Sequence, residues 1–242
     1  MKFDDSTLSF SEISSKENRQ PTIVLLFGTL LLVTWRYYGS RTLFLANIVS
    51  VIPFINTIAA MAAEWYNYLT ALVLFGVLSI LVIRYIFKEP IGAFGLQWGD
   101  WKFWLPATGI LGIIMIVMGY IGSKDPHFIA EYPLYKGAGA SWQMFTLHAV
   151  GYLLFYIGWE TFFRGLMQHA LSPRFGVWGA ILVQSAISCI VHIGKPTGEI
   201  YGAVFGGIIW GIVVYRSRTI LPAILTHWLL GLSLDFFICF GG

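Results

Sequence analysis

The stretch WYNYLTALVLFGVLSILVIRYIF, residues 65–87, carries a single charged side chain in 23 positions. A helix needs roughly 20 apolar residues to cross a bilayer. In lipid the backbone polar groups must be satisfied within the segment itself, which leaves a helix as the stable form of such a run. Trp65, Tyr66 and Tyr68 at one end, with Arg84 and Tyr85 at the other, suit the two membrane–water interfaces. Further apolar runs lie at about 22–38, 42–62, 105–122, 142–170, 175–193, 199–215 and 220–240. The reading is an all-α polytopic membrane protein, a bundle of seven to eight transmembrane helices in contact with the lipid bilayer. In a bacterium the membrane would be the plasma (inner) membrane. Composition agrees: 11% of residues are charged and 57% hydrophobic, where soluble domains run near a quarter charged.

The chain divides into a polar tail (1–20), N-terminal transmembrane helices (21–87) and a C-terminal core (88–242). The first 20 residues hold three basic and four acidic side chains, unlike the basic-then-apolar pattern of a signal peptide. Pro53 predicts a kink or a re-entrant turn in the second run. Residues 88–104 read as an interfacial connection, and 123–141 as the longest polar loop. A net charge of +3 gives no reason to expect nucleic acid as a partner. Cys189 and Cys239 both lie in apolar runs and form no disulfide framework.

Ionisable groups at mid-bilayer cost about 2.5–3.5 kcal/mol each on insertion scales, so each needs a reason. In the last hundred residues they are Glu160, Arg164, His192, His227 and Asp235, with Lys195 and Glu199 at a helix junction. Glu160 and Arg164 are four apart and share a helix face. They read either as a buried pair that fixes packing or as part of a site. Pro196 ends the helix that carries His192 and places His192 about one turn inside its end. Glu199 near the next helix start suits the helix dipole. Lys195 reads as an interface cation or a partner of Glu199. His227 lies about two turns inside the last helix. Asp235 is eight residues on, free to pair with Arg164 or to cap a polar network.

Together these groups make a polar centre that apolar packing would not require. A carboxylate with an imidazole can activate water as a nucleophile. A second imidazole can stabilise an oxyanion. The same groups, His192, His227 and Glu160, would form a plausible zinc ligand set. H-E-x-x-H, G-x-S-x-G and P-loop patterns are absent.

The ordered segments WETFFRGLMQ (159–168), SCIVHIGKP (188–196) and LTHWLLG (225–231) resemble the three motifs of the CPBP family. These are type II CAAX prenyl endopeptidases and Abi-like bacteriocin-processing or immunity proteins. The family pattern is E-E-x-x-x-R, F-x-x-x-H and H-x-x-x-N/D. The resemblance implies an intramembrane endopeptidase acting on membrane-tethered or lipidated peptides, of glutamic or metallo type. It assigns Glu160 and Arg164 to the first motif, His192 to water activation and His227 to the oxyanion. Three positions depart. Trp159 stands where the first glutamate belongs, Ser188 replaces the Phe, and Gly231 replaces the Asn or Asp. Glu199 or Asp235 could supply the missing group. A catalytically inactive membrane scaffold or immunity protein is the alternative. A transporter ranks behind both, because no inverted repeat is visible.

Overall fold

The computed structural model describes residues 15, 17–49, 51 and 58–241. Most of the polar tail, and Pro53 with its expected kink, fall outside those residues. Six helical runs are long and apolar enough to cross a membrane. They are α1 (Arg19–Ile48), α2 (Ala59–Phe87), α3 (Trp101–Gly122), the joined run Trp142–Val191, and two C-terminal helices, Thr197–Ser217 and Leu221–Phe240. The joined run is 50 residues long and breaks at Gly176, which takes φ +69° and ψ 167°. That left-handed φ is open to glycine at no steric cost, and it turns the chain back on itself. Counting the break, the runs make seven segments, within the expected seven to eight. The protein is an integral, multi-pass membrane protein.

α1 starts at Arg19, a few residues ahead of the apolar run read from about residue 22. It is interrupted at Gly39, whose N–H bonds to the carbonyl of Trp35. The polar loop after α3 is more ordered than its composition suggests. It forms α4 (Pro126–Glu131), with Pro126 at the first position and the Asp125 carboxylate accepting from the His127 N–H at 2.8 Å. Both are strong helix-start signals.

α5 (Trp142–Glu160) begins at Ser141, whose hydroxyl accepts from the Met144 N–H. It passes through a π-helical turn, Thr161–Met167, into α6 (Gln168–Val191). Then follow α7 (Thr197–Ser217) and α8 (Leu221–Phe240). α8 packs along α3, α6 along α7, and α5 against both α2 and α8.

Small residues set these distances, as expected where lipid removes the hydrophobic drive between helices. Gly112, Met115 and Gly119 of α3 are buried and face Leu229, Ser233 and Leu234 of α8. The opposite stripe of α3, Ile110, Ile113, Val117 and Ile121, is exposed and suits lipid. At Gly158 an added Cβ would lie 2.7 Å from the Ala71 carbonyl oxygen and 2.9 Å from the Leu72 Cα, so α5 and α2 touch backbone to backbone. This close approach holds the end of α5, where the buried charges begin.

Candidate active site

Tyr156, Glu160 and Arg164 follow one another at four-residue spacing along the end of α5 and its π-helical turn. Glu160 and Arg164 are fully buried. Arg164 Nη1 donates to Glu160 Oε1 at 3.1 Å. The π turn is held by His169, whose Nδ1 lies 2.9 Å from the Arg164 carbonyl and 3.0 Å from that of Gly165. Such turns loosen the backbone ladder and recur at functional positions.

His227 comes from α8. Its Nδ1 lies 2.6 Å from Glu160 Oε1. A carboxylate only accepts, so the ring must donate and Nδ1 carries the proton. The imidazole is held between two aromatic rings. Trp210 of α7 stacks on it with centroids 4.0 Å apart, and Tyr156 lies at 4.3 Å. Trp210 is itself fixed by its indole N–H donating to the Thr226 hydroxyl at 2.8 Å. The Arg164 guanidinium sits 5.4 Å from the Trp210 ring, a favourable cation–π placement.

His192 caps α6 rather than sitting a turn inside it, because the helix ends at Val191. Its Nδ1 lies 2.6 Å from the Ser188 carbonyl, one of the acceptors a helix end leaves open. The carbonyl only accepts, so Nδ1 carries the hydrogen and Nε2 of the neutral ring keeps its lone pair. Burial pushes the imidazole down to about 4, so the ring is neutral at neutral pH. Nε2 faces Glu199 Oε1 at 3.9 Å. Glu199, in the first turn of α7, is anchored by the Tyr132 hydroxyl, 2.8 Å from both of its oxygens.

Two expected partnerships are corrected. Lys195 does not pair with Glu199. Its Nζ lies 2.6 Å from Glu131 Oε1 and 5.0 Å from the Tyr132 ring, because the ordered loop brings α4 over the helix junction. Asp235 does not pair with Arg164. Its Oδ2 lies 2.7 Å from His148 Nε2, with both side chains fully buried. His148 Nδ1 in turn lies 3.2 Å from the Tyr68 hydroxyl. Asp235 is thus committed to a second polar cluster between α2, α5 and α8. It does not supply the missing third-motif side chain.

The zinc set His192, His227 and Glu160 does not form. Among the described residues no three His, Cys, Asp or Glu side chains are arranged to hold a metal ion. His227 turns Nδ1 to Glu160, while His192 faces Glu199. No step is therefore routed through zinc.

Trp159 is buried and meets His192 edge-on, ring centroids 5.6 Å apart. It fills the direction from which a first-motif carboxylate would approach. Glu199 faces Nε2 of the same imidazole across the α6–α7 junction.

Residues 140–233, which hold all of these groups except Tyr68, Glu131, Tyr132 and Asp235, match the family described as Type II CAAX prenyl endopeptidase Rce1-like. That match supports a CPBP-family assignment. No curated protein and no solved structure matches the chain. The family's endopeptidase class is consistent with two imidazoles and two carboxylates lying in one half of the bundle.

Sequence reasoning missed His148, Tyr156 and Glu64. Glu64 is buried in α2, with Arg41 Nη1 2.8 Å from its Oε1. His148 stood in an otherwise apolar run, a signal of the same kind as Glu160. Tyr156 carried none, because the segment around it is rich in aromatic residues.

Proposed function

We propose that the chain is an intramembrane endopeptidase of CAAX-protease type, which hydrolyses peptide bonds of membrane-tethered substrates. The observation that carries this reading is the pairing of His192 with Glu199. The pairing brings a neutral imidazole and a carboxylate together at a helix junction. A water about 2.8 Å from both Nε2 and Oε1 would see them at about 90°, close to its own bond angle.

In the proposed step, a water proton passes to His192 Nε2 while its oxygen adds to the scissile carbonyl carbon. The carbonyl π electrons move to oxygen and form an oxyanion. On collapse the C–N bond breaks, its electrons go to nitrogen, and the proton on His192 transfers to the leaving amine. Glu199 orients the water and stabilises the imidazolium that forms. Positioned proton transfer of this kind contributes about 10²–10⁴-fold. Glu160 and Arg164 are positioning residues. They hold His227 by its Nδ1–H, so that Nε2 faces the developing oxyanion and donates to it when the ring is doubly protonated.

The test is cleavage in proteoliposomes of two quenched fluorescent peptides. One carries a prenylated cysteine followed by three residues, the arrangement a CAAX peptidase would accept. The other is an unmodified transmembrane peptide. Cleavage of either, lost in His192→Ala, supports the reading. Equal cleavage by the wild type and His192→Ala refutes it.

The buried Trp159 against His192 favours a second reading, a non-catalytic relative whose site is relict. Under that reading neither peptide is cleaved, and His192→Ala and Glu199→Gln variants keep full biological activity.

A further inference from the structure

Gly231 lies one turn after His227 on α8, and the space its side chain would fill is occupied. A Cβ built there would lie 2.8 Å from the Tyr156 hydroxyl oxygen and 2.7 Å from Cε1 of Tyr152. The Tyr156 hydroxyl therefore stands beside the backbone of α8 one turn beyond His227. The ring of the same tyrosine lies 4.3 Å from the imidazole. α5 thus delivers a phenol and, one turn later, Glu160 to the same histidine.

The hydrogen-bonding state of His227 gives this placement a consequence. Its Nδ1–H is committed to Glu160. The neutral ring then offers only an acceptor at Nε2, and it can donate to an oxyanion only when doubly protonated. A buried oxyanion needs a donor already in place at the moment charge develops. The phenol hydroxyl is a neutral donor whose availability does not depend on protonation of the imidazole. The two carboxylates at the site, Glu160 and Glu199, cannot donate when ionised.

We infer that the Tyr156 hydroxyl is a catalytic oxyanion donor, taking the place of a side chain at position 231. In this role it donates its hydrogen to the oxyanion of the tetrahedral intermediate and keeps it when the carbonyl re-forms. No proton is transferred and no co-reactant is required. The inference rests on the protease reading above.

The test compares the wild type, Tyr156→Phe and His192→Ala in proteoliposomes, with the prenylated and unmodified peptides as probes. Tyr156→Phe keeps the ring against His227 and Tyr152, so thermal melting reports whether packing survives. The expected result is a fall of about 10²-fold in kcat with KM unchanged. The deficit should widen as pH rises, because the remaining donor, protonated His227, is then lost. Wild-type kcat in a folded Tyr156→Phe variant, with His192→Ala inactive, overturns this assignment and leaves the protease reading standing. A pH-independent deficit that follows a lowered melting temperature also overturns it, because a structural role explains such a loss. Absence of cleavage by the wild type overturns both.

Discussion

Replacing Glu160 by Gln keeps the shape of the side chain and removes its charge. In the native protein Glu160 is the ion-pair partner of Arg164 among the described residues, at 3.1 Å, and both groups are fully buried. Breaking one partner out of a buried pair costs about 3–5 kcal/mol, because the other charge is left uncompensated. The Gln carbonyl still accepts from Arg164 and His227, so the expected loss is at the low end, about 3 kcal/mol. For a chain of this length that is a fall of about 6–12 °C in melting temperature. Arg164→Gln should cost less, since His227 Nδ1, 2.6 Å from Glu160, remains to compensate the carboxylate. The double variant Glu160→Gln/Arg164→Gln has no stranded charge and should be clearly more stable than the sum of the singles implies. The assay is unfolding of purified protein titrated with SDS in mixed micelles, run on all four members of the cycle. A Glu160→Gln loss within about 0.5 kcal/mol, or strict additivity in the double variant, would refute the buried-pair reasoning.

Three further outcomes follow from the geometry. Gly158→Ala pushes a methyl against the Ala71 carbonyl and the Leu72 Cα, both backbone atoms that cannot swing away, and should cost about 1–3 kcal/mol in the same titration. His192 has its folded value lowered from 6.5 to about 4 by burial. The unfolded chain therefore binds more protons between those values, and stability rises with pH across that window and levels off above it. His192→Gln should flatten the melting temperature against pH between about 4 and 6.5, and an unchanged slope would contradict the assignment. Lys195→Ala removes a partly exposed pair with Glu131 and should change stability by under about 1 kcal/mol, measured by thermal melting.

Much of the bundle was legible in the sequence because the bilayer imposes its own length and apolarity on every span. The four C-terminal runs were visible for that reason, whereas the break at Gly176 lies just inside the start of the second of them. The Glu160–Arg164 pair was equally legible, since helix spacing alone puts the two on one face. What sequence could not reveal depends on which helices touch. Asp235 belongs with His148 because α5 packs on α8, and nothing in the spacing of 148 and 235 encodes that contact. Lys195 goes to Glu131 because a polar loop folds into α4 over the site. The three departures from the family pattern looked like losses one position at a time. In three dimensions two of them have neighbours that fill their place: Glu199 stands near the imidazole that Trp159 covers, and the Tyr156 hydroxyl stands where Gly231 has no side chain. Ser188 has a different explanation, since its carbonyl orients His192 and its side chain is not involved.

The central claim is that His192 and Glu199 activate water together. It is tested most directly by the rate at which Glu199→Gln protein cleaves the prenylated and unmodified peptides in proteoliposomes. Gln keeps an acceptor for the Tyr132 hydroxyl, so the junction should stay folded while the charge is lost. The account predicts a fall in kcat of at least about 10²-fold with an unchanged melting temperature. Cleavage by Glu199→Gln at the wild-type rate would contradict it.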